Sequence, residues 1–379
     1  MSQLIARTIE SLILKRMFKG KAIIITGPRQ VGKTTLIHHL LEQVNAEVLF
    51  LNGDDREVRD LLDEPGTEAL RQIMGNYKII FIDEAQRING IGLTAKIITD
   101  RFKDKQLVLS GSSAFDMGDI LQEPLTGRKW TYELLPVSWQ EWEAQVGYFT
   151  AEQDLDNRLV LGFYPDILNF REEAKDALRE LANSYLFKDV FAISGIRKPE
   201  VIQKLVRALA YQVGSEVNMK ELGDTVGVDS KTVSAYIDIL EQAYVVFRLP
   251  AFQGNLRNEI KKNQKIYFYD NGIRNVLIDN LDPLTLRNDV GKLWENFLIA
   301  ERIKLYRNYN KIAQTFFWRT IQQQEIDYIE VENTKISAFE FKWNPKKKIH
   351  FSKTFTSNYD AEVKGITRAN FREFVMGFK

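Results

Sequence analysis

The sequence contains no cysteine, which excludes disulfides, thiolate zinc sites and cysteine nucleophiles and fits a reducing compartment. No apolar run approaches the ~20 residues that a membrane helix requires. The first part of the chain carries Glu10 and several basic side chains in an amphipathic pattern, rather than the apolar core of a signal peptide. These absences predict a soluble, cytoplasmic protein without a membrane partner.

An excess of charge of one sign is also missing, since 52 Lys and Arg residues stand against 51 Asp and Glu residues and the net charge is +1. This balance argues against a protein that clamps nucleic acid over its whole surface, and it limits any DNA contact to a local region. The apolar share of 44% and the charged share of 27% are ordinary for soluble globular proteins. A chain of 379 residues is expected to form two or three domains.

Residues 1–139 alternate between strand-like and helix-like patterns. Apolar, β-branched runs predict buried strands at residues 22–26, 48–52, 78–83 and 106–110, with helical segments between them. Strands that alternate with helices predict a parallel, doubly wound sheet with helices on both faces, and therefore an α/β fold.

Three further units are expected after this sheet. Residues 140–199 show only helical patterns and are interpreted as a lid or linker. Residues 200–270 contain a long helix, two helices around a short turn and two strand-like runs, which is typical of a winged helix, and Ser230 is the expected N-cap of the last helix. Residues 271–379 begin with helix and continue with alternating strands, which predicts a small α/β domain.

A phosphate-binding loop (P-loop) follows the first predicted strand. The run Gly27-Pro-Arg-Gln-Val-Gly-Lys-Thr satisfies the pattern G-x-x-x-x-G-K-[ST] between a buried strand and a helix, where such a loop functions. Its glycines allow backbone N–H groups to surround a phosphate, Lys33 neutralises phosphate charge, and the Thr34 hydroxyl can ligate Mg²⁺. The pattern predicts a site for ATP and Mg²⁺ formed by Gly27, Pro28, Arg29, Gln30, Val31, Gly32, Lys33, Thr34 and Thr35.

An acidic pair ends the third predicted strand. Asp83 follows four apolar residues and is expected beside the P-loop, where it can hold Mg²⁺, while Glu84 is placed to polarise an attacking water. The alternative is that the pair only caps the next helix. Ser112, after the fourth strand, is expected near the γ-phosphate, although a plain loop would also explain it. The acidic pair favours hydrolysis of ATP over simple binding.

Several short motifs occur along the chain in addition to the P-loop. They are Asp83-Glu-Ala-Gln, Ser110-Gly-Ser-Ser, Leu125-Thr-Gly-Arg128 with Leu135-Pro-Val-Ser, Gly162-Phe-Tyr-Pro and Lys265-Ile-Tyr-Phe-Tyr-Asp-Asn-Gly-Ile. Together they resemble AAA-type ATPases of bacteria and archaea whose C-terminal half is a domain of unknown function. The resemblance covers nearly the whole chain. It implies an AAA core, a winged helix and a nuclease-like C-terminal fold, but no particular substrate.

By the same resemblance, Arg128 is the candidate for an arginine finger that reaches the γ-phosphate bound to a neighbouring subunit. Such a charge typically accelerates hydrolysis by ~10³ or more. This role implies a homo-oligomer. Arg87 and Arg101 are close enough in sequence to compete for it, and a purely structural role for Arg128 also stays open.

Charged residues near the C-terminus resemble the PD-(D/E)xK nuclease pattern. Asp327 lies in one predicted strand, Glu340 and Lys342 share one face of the next, and Glu295 lies on an upstream helix. Two converging carboxylates can hold Mg²⁺ while a lysine positions water. Ile326 stands where the pattern often has proline. An active nuclease, an inactive nuclease scaffold and plain surface charge all stay open.

Basic and polar residues of the expected winged helix could contact DNA. The second helix of such a motif enters the major groove, and positive charge beside it suits phosphates. The candidates are Lys231, Thr232 and Ser234 on that helix, Arg257, Lys261 and Lys262 in the wing, and Lys346 to Lys348 later in the chain. A solvated face or a protein-docking surface explains these residues at least as well.

The combined prediction is an AAA-type protein that binds ATP and hydrolyses it to ADP, and whose nucleotide state controls its C-terminal half. DNA or a protein client is the expected partner of that half. Two alternatives stay open. One is a metal-dependent DNA nuclease gated by ATP, and the other is a slow, nucleotide-switched scaffold that binds DNA or protein.

Overall fold

A computed structural model describes residues 4–112, 124–184, 190, 198–252, 264–320 and 322–378. Four candidate residues, namely Ser113 and the wing residues Arg257, Lys261 and Lys262, lie outside this described part of the chain. None of the described helices is long and apolar enough to cross a membrane.

Five parallel strands form the N-terminal sheet. They are β1 (Ala22–Thr26), β2 (Val48–Asn52), β3 (Ile79–Asp83), β4 (Gln106–Gly111) and β5 (Lys129–Glu133). Their order across the sheet is β2-β3-β4-β1-β5, and every pair is parallel. The predicted parallel α/β sheet is therefore confirmed. The carboxyl ends of β1, β3 and β4 meet at one edge, which is where ligands bind in open α/β sheets.

In the described part of this region, five helices connect or precede these strands. They are α1 (Glu10–Arg16), α2 (Lys33–Glu42), α3 (Arg56–Leu62), α4 (Thr67–Met74) and α5 (Ile91–Arg101). Two separate apolar clusters lie against the sheet, one containing Ile23 and Ile25 and the other containing Ile24. Because side chains alternate between the two faces of a strand, apolar packing covers both faces of the sheet.

A helical segment follows the sheet, as predicted from its lack of strand patterns. It contains α6 (Trp139–Val146), α7 (Tyr148–Leu161), α8 (Pro165–Asn169) and α9 (Ala174–Ser184). A capping box begins α6, since the Ser138 hydroxyl accepts a hydrogen bond from Glu141 N and the Glu141 carboxylate accepts one from Ser138 N. This box fixes where the chain leaves the sheet.

Three helices and a hairpin come next. They are α10 (Pro199–Tyr211), α11 (Met219–Val226), α12 (Ser230–Gln242) and the antiparallel strands β6 (Val246–Pro250) and β7 (Gln264–Phe268). The predicted N-cap was wrong by one position. Asp229, not Ser230, accepts the N–H groups of Lys231 and Thr232, because a carboxylate at the N-cap reaches both donors.

The C-terminal part adds a mixed sheet with helices. It contains α13 (Asn271–Leu277), α14 (Val290–Asn308), β8 (Gln314–Arg319), β9 (Glu325–Glu332), β10 (Lys335–Lys342), α15 (Lys353–Asn358), β11 (Ala361–Thr367) and α16 (Phe371–Met376). β8, β9 and β10 form an antiparallel meander, and β11 joins β10 in parallel after the crossover through α15. The sequence predicts strands here at residues 316–319, 326–331 and 336–343, which overlap β8, β9 and β10, whereas β11 was not predicted.

One hydrophobic core joins the N-terminal and C-terminal parts. Trp139 of α6 makes edge contacts with Phe297 of α14 and Phe371 of α16, at ring distances of 6.1 and 5.2 Å. Trp139 is fully buried, and the cluster around it runs from Ile5 to Val375. Aromatic side chains bury about 150–250 Å² each. The start of the helical segment is therefore anchored in the C-terminal domain.

Candidate nucleotide site and C-terminal carboxylate cluster

The P-loop begins where β1 passes closely beside another segment of backbone. Gly27 has a φ of +150°, and a Cβ atom added there would lie 2.0 Å from the carbonyl oxygen of Leu134. The N–H of Leu134 donates to the carbonyl of Thr26 at 2.8 Å. Only glycine fits this contact, so the loop leaves the strand along a defined path.

The P-loop lysine is buried within the loop. Lys33 begins α2, is 6% exposed, and donates from Nζ to the carbonyl oxygens of Gly27 at 2.9 Å and Pro28 at 2.8 Å. Val31 is buried behind the loop, while Gln30 and Thr35 are exposed. The loop therefore holds its cation at its centre, where phosphate oxygens would be bound.

The acidic pair meets the P-loop directly. The Thr34 hydroxyl donates to Asp83 Oδ2 at 2.8 Å, across 49 positions of sequence. Asp83 Oδ1 accepts the hydroxyl of Ser110 and the N–H of Glu84. The two oxygen ligands predicted for Mg²⁺ thus lie side by side at the carboxyl edge of the sheet, and oxygen ligands are what this hard cation prefers.

Glu84 is held by two neighbours. Its backbone lies in the left-handed region with a φ of +47°, and its carboxylate accepts hydrogen bonds from Gln86 Nε2 at 2.6 Å and from the Ser112 hydroxyl at 3.3 Å. Gln86 also donates to Ser112 at 3.2 Å. Glu84 precedes a short 3₁₀ turn, but its side chain makes no capping hydrogen bond there. Capping therefore does not account for the direction of this carboxylate.

Two residues that the sequence analysis missed support the site. Gly53, after β2, packs against the acidic pair so tightly that an added Cβ atom would lie 2.4 Å from the carbonyl oxygen of Glu84. Arg7 is buried and donates to the carbonyl oxygens of Val31 at 3.0 Å and Leu135 at 2.6 Å. Neither lies in a motif, so only the folded contacts reveal them.

A cavity of about 330 Å³ opens beside the P-loop. The N-terminal segment, the P-loop, α2 and α8 surround it, and its lining includes Ile5, Thr35, Val137, Pro165 and Asp166. Pro165 belongs to the Gly-Phe-Tyr-Pro motif. The cavity combines apolar walls with a few polar groups, as small-molecule sites usually do.

Arg128 and the P-loop lie at opposite ends of the strands of the sheet. Its carbonyl accepts a hydrogen bond from the N–H of Ala22, at the start of β1, whereas the P-loop follows the end of that strand. The length of β1 separates the two levels by ~16 Å. Arg128 Nε donates to Asp100 Oδ1 at 2.7 Å, which holds the pKa of that carboxyl below its usual range. Arg128 therefore lies too far away to act on the P-loop of its own chain.

The competing arginines have other surroundings. Arg87 forms an ion pair with Asp54 at 2.6 Å, and Arg101 is exposed at the end of α5. Arg87 follows the acidic pair and lies on the nucleotide side of the sheet, so the three candidate arginines do not share one position.

The predicted C-terminal residues lie close together. Asp327 Oδ2 accepts the N–H of Phe341 at 2.8 Å and lies 4.0 Å from Lys342 Nζ, which in turn lies 3.2 Å from Glu340 Oε2. Glu295 of α14 contributes to raising the pKa values of both carboxyls. Strands β9 and β10 thus turn these side chains to one face, and α14 covers it.

Lys265 of β7 completes this cluster, although the sequence analysis assigned it no role there. Its Nζ lies 2.5 Å from Glu325 Oε1 and 3.2 Å from Glu295 Oε1, and Tyr267 donates its hydroxyl to Glu295 at 2.5 Å. Lys265 is 2% exposed. Within the described ranges, no group of three or more Asp, Glu or His side chains has the arrangement of a metal site. A lysine ammonium thus lies between Glu295, which belongs to the predicted cluster, and Glu325, which does not.

Burial and mutual repulsion shift the ionisation of the cluster. Burial raises the pKa of the Asp327 carboxyl well above its usual range, and Glu295 and Glu340 raise it further. Burial by itself would lower the pKa of Lys265, but Glu295 and Glu325 outweigh it and raise that pKa. The ammonium is therefore charged at neutral pH, and it stabilises carboxylates that would otherwise repel one another.

The candidate DNA-contacting residues are dispersed. Lys231 is exposed at the start of α12, whereas the Thr232 hydroxyl donates to the N-cap residue Asp229 at 2.8 Å and Ser234 is half-buried. Lys346 to Lys348 are exposed beyond β10. No contact within the described residues distinguishes a DNA-binding face from a solvated one.

Family models match three successive stretches of this chain. Residues 19–143 match an AAA domain, residues 152–284 match a domain of unknown function (DUF8612), and residues 290–373 match another (DUF4143). The chain thus has an AAA-type P-loop domain and a C-terminal DUF4143 domain, which confirms that part of the resemblance. The winged helix and the nuclease-like fold stay predictions.

Some distant relatives are similar to this chain over most of its length. Uncharacterized proteins of Mycobacterium bovis and Mycobacterium tuberculosis are each 28% identical over 333 residues, which is 86% of this chain and 71% of each relative. The replication factor C large subunit of Pyrobaculum arsenaticum is 33% identical over 78 residues, 20% of this chain and 18% of that protein. The solved Walker-type ATPase of Pyrococcus abyssi matches with a TM-score of 0.50 over 72% of this chain and 96% of its own, at 16% identity. This last likeness supports the fold.

Proposed function

We propose that the protein binds ATP together with Mg²⁺ at the P-loop and hydrolyses it to ADP and phosphate. The observation that carries this proposal is the 2.8 Å contact between the Thr34 hydroxyl and Asp83. It unites a P-loop residue with the acid that ends β3. Convergence of these two groups is what metal-assisted phosphoryl transfer requires, and a plain glycine-rich turn would not need it.

Each residue has a distinct role in this mechanism. Lys33 would face the β- and γ-phosphates, and Thr34 and Asp83 would hold Mg²⁺, which would supply positive charge against the phosphates. Glu84, oriented by Gln86, polarises the attacking water. Ser112 lies next to that carboxylate and is positioned to respond to the γ-phosphate.

The cavity beside α2 is the proposed site of the adenine base. Its volume of about 330 Å³ lies at the lower end of the range for small-molecule pockets. Ile5, Val137 and Pro165 supply apolar surface for the faces of the ring, and Asp166 and Asn169 supply polar atoms for its edge. Base binding here would connect the N-terminal segment and α8 to the phosphate site.

Arg128 is proposed to act between subunits of a homo-oligomer. It lies at the end of β1 that is remote from the P-loop, so it could contact only a nucleotide bound to a neighbouring copy. Such a role requires the ion pair with Asp100 to open when the neighbour binds ATP. Arg87, which is on the nucleotide side, is the alternative for a role within one chain.

The C-terminal half is proposed to bind the client, under control of the nucleotide state. The helix and hairpin order of residues 199–268 is compatible with a winged helix, and the order helix, three antiparallel strands, helix and parallel strand is compatible with a nuclease-like scaffold. Lys265 lies between Glu295 and Glu325, and Lys342 lies beside Asp327 and Glu340, so two ammonium groups of the protein offset part of the negative charge of the cluster. This favours a docking function over metal-dependent cleavage.

Calorimetry with ATP and Mg²⁺ tests the central proposal. The parent protein should bind, and Lys33→Ala should weaken binding by ~10²-fold or more, because charge-assisted hydrogen bonds to the phosphates are lost. Lys19→Ala, at an exposed lysine, is the matched control and should bind as the parent does. Equal ATP affinity of a folded Lys33→Ala variant and the parent would refute the proposed site.

The nuclease alternative has its own experiment. Purified protein is incubated with linear and single-stranded DNA in Mg²⁺ or Mn²⁺, beside an Asp327→Ala variant. Docking without cleavage predicts intact DNA in both samples. Cleavage by the parent alone would establish the nuclease instead.

A further inference from the structure

A buried tyrosine of the C-terminal half contacts the strand that carries the P-loop. Tyr244 lies between α12 and β6, is 4% exposed, and donates its hydroxyl to Thr26 Oγ1 at 2.9 Å. Thr26 is the last residue of β1 and directly precedes Gly27. The two partners are 218 positions apart. This hydrogen bond therefore joins a distant unit to the first residues of the nucleotide site.

The backbone at Tyr244 adopts a conformation that tyrosine rarely takes. Its φ is +57°. α12 ends there in a Schellman motif, in which Tyr244 N donates to Glu241 O and Val245 N donates to Leu240 O, both at 2.9 Å. Glycine usually occupies the left-handed position of this motif, because a Cβ atom there lies too close to the following carbonyl oxygen. The local backbone thus disfavours tyrosine, and the reason for it lies elsewhere.

Packing alone does not explain the tyrosine either. Its ring lies 6.0 Å from that of Tyr269, a contact that phenylalanine would make as well. A buried hydroxyl is unfavourable unless it is hydrogen-bonded, and here the partner is Thr26. Burial raises the pKa of the Tyr244 hydroxyl, so it keeps its proton and remains a donor at neutral pH.

Only a few covalent and hydrogen bonds separate the Tyr244 hydroxyl from the P-loop lysine. Thr26 is fixed from its backbone side, where its carbonyl accepts the N–H of Leu134 at 2.8 Å, and from its side chain by Tyr244. The next residue, Gly27, supplies a carbonyl that accepts Lys33 Nζ at 2.9 Å. A shift of Thr26 therefore moves a group that positions the P-loop lysine.

We infer that Tyr244 is a positioning residue for nucleotide turnover, through which residues 199–268 and the P-loop affect each other. The inference rests on the proposed ATPase function. It assigns the coupling between the two halves to one hydrogen bond, and nucleotide binding should change the exposure of the Tyr244 segment.

Removing the hydroxyl from each side separates this role from simple packing. Tyr244→Phe and Thr26→Val keep nearly the same volume, and each should lower kcat about fivefold to tenfold, the value of one buried hydrogen bond. The double variant should lose no more than Thr26→Val alone, because that change already deletes the bond from Tyr244 together with the 3.5 Å contact of the Thr26 hydroxyl with the carbonyl of Tyr132. Tyr236→Phe, at a buried tyrosine within α12, is the matched control and should keep the parental kcat.

Hydrogen exchange supplies a readout that a merely structural role would not change. In the parent protein, a non-hydrolysable ATP analogue with Mg²⁺ should alter the exchange of amides 243–249, and in Tyr244→Phe this response should disappear while nucleotide binding persists. Parental kcat and an unchanged response in Tyr244→Phe would overturn the inference and leave the ATPase proposal intact. Losses that add in the double variant would overturn it as well. Unimpaired ATP binding by Lys33→Ala would instead refute the proposed function itself.

Discussion

Each charged side chain of the nucleotide site has a partner that fixes its direction. Asp83 is held by Ser110 and Thr34, and Glu84 is held by Gln86. Fixed acceptors and donors need little rearrangement during the reaction, which is the main advantage of a preorganised site. This arrangement supports the proposal that Asp83 holds Mg²⁺ and that Glu84 activates water.

The division of labour within the acidic pair predicts a separation of binding from turnover. Glu84→Gln should keep ATP affinity near the parental value, because the contact between Thr34 and Asp83 is untouched. Hydrolysis should fall by ~10²–10⁴-fold, because the amide cannot accept a proton from water. Calorimetry and a phosphate-release assay measure the two quantities separately.

The control for this variant is Glu57→Gln, which removes one negative charge at an exposed glutamate of α3. It should leave both quantities unchanged. If Glu84→Gln hydrolyses ATP near the parental rate, another residue orients the water, and the proposed role of Glu84 is wrong.

The predictability of individual residues depended on how far apart their partners lie. The P-loop and the acidic pair are contiguous, and each has a spacing that a mechanism requires, so both could be predicted. Arg7 could not, since its partners Val31 and Leu135 are 24 and 128 positions away. Tyr244 could not either, because nothing local marks a tyrosine that contacts a distant strand.

At the scale of secondary-structure elements, the two missed strands have a common cause. β5 and β11 each lie at the edge of a sheet. Both strands mix polar and apolar residues and lack the apolar run that marks a buried strand. β2 also lies at an edge, but it keeps an apolar run and was predicted at its observed bounds. The central strands β1, β3 and β4 have that run, and they were predicted within a residue of their observed ends.

The close packing of the turn after β2 against the end of β3 predicts a remote effect on turnover. Gly53→Ala would place a Cβ atom 2.4 Å from the carbonyl oxygen of Glu84, so one backbone segment must shift. Small displacements of catalytic groups can cost ~10²-fold in rate. We expect a loss of that order in ATP hydrolysis, measured by phosphate release, and a smaller change in ATP affinity.

Gly291→Ala is the matched control for this substitution. Gly291 lies in the first turn of α14, and an added Cβ atom would meet no atom within 4 Å. Alanine there should raise the free energy of unfolding by up to ~1 kcal/mol through helix propensity. Turnover by Gly53→Ala at the level of Gly291→Ala would show that the turn does not position Glu84.

The packing of β7, β9, β10 and α14 around Asp327 predicts a dependence of stability on pH. The folded-state pKa of Asp327 is raised, above all by burial, so the folded state binds the proton more tightly than the unfolded state. Stability from this group is present below the unfolded pKa of about 3.9 and is lost as pH rises toward the higher folded pKa. The charged groups that surround it are Glu295, Glu325, Glu340, Lys265 and Lys342.

Asp327→Asn removes that titration. The melting temperature of the variant minus that of the parent should therefore increase from pH 5 to pH 8, as measured by calorimetric scans. Asp360→Asn, at an exposed aspartate of the same domain, controls for the loss of one negative charge. A difference that falls as the pH rises would mean that the charged form of Asp327 is favoured in the folded state.

At the scale of the whole molecule, the P-loop and the C-terminal domain share several contacts. Arg7 bonds to the P-loop carbonyl of Val31 and to Glu141 of α6. Two residues before Glu141, at the first position of α6, Trp139 donates its N–H to Glu301 of α14 at 2.5 Å. Family boundaries divide the chain into three stretches, but its buried polar contacts cross them. Within the described residues, buried contacts therefore connect the P-loop to α14.

The position of Arg128 predicts cooperation between copies of the chain. Arg128→Ala should reduce hydrolysis by ~10³-fold, as for other arginine fingers, and should reduce ATP affinity much less. Asp100→Asn is the control, because it removes the ion pair with Arg128 but leaves the arginine in place. Steady-state assays compare the hydrolysis rates of the variants, and calorimetry compares their ATP affinities. Sedimentation measures the assembly state.

Mixing two inactive variants tests whether the arginine acts across an interface. An Arg128→Ala subunit keeps Glu84, and a Glu84→Gln subunit keeps the arginine. In a head-to-tail assembly formed at random from equal amounts, about one interface in four combines the two intact groups. Activity should therefore recover to about a quarter of the parental value once subunits exchange. If a sample shown to exchange subunits stays inactive, the arginine acts within one chain or only stabilises the edge of the sheet near Asp100.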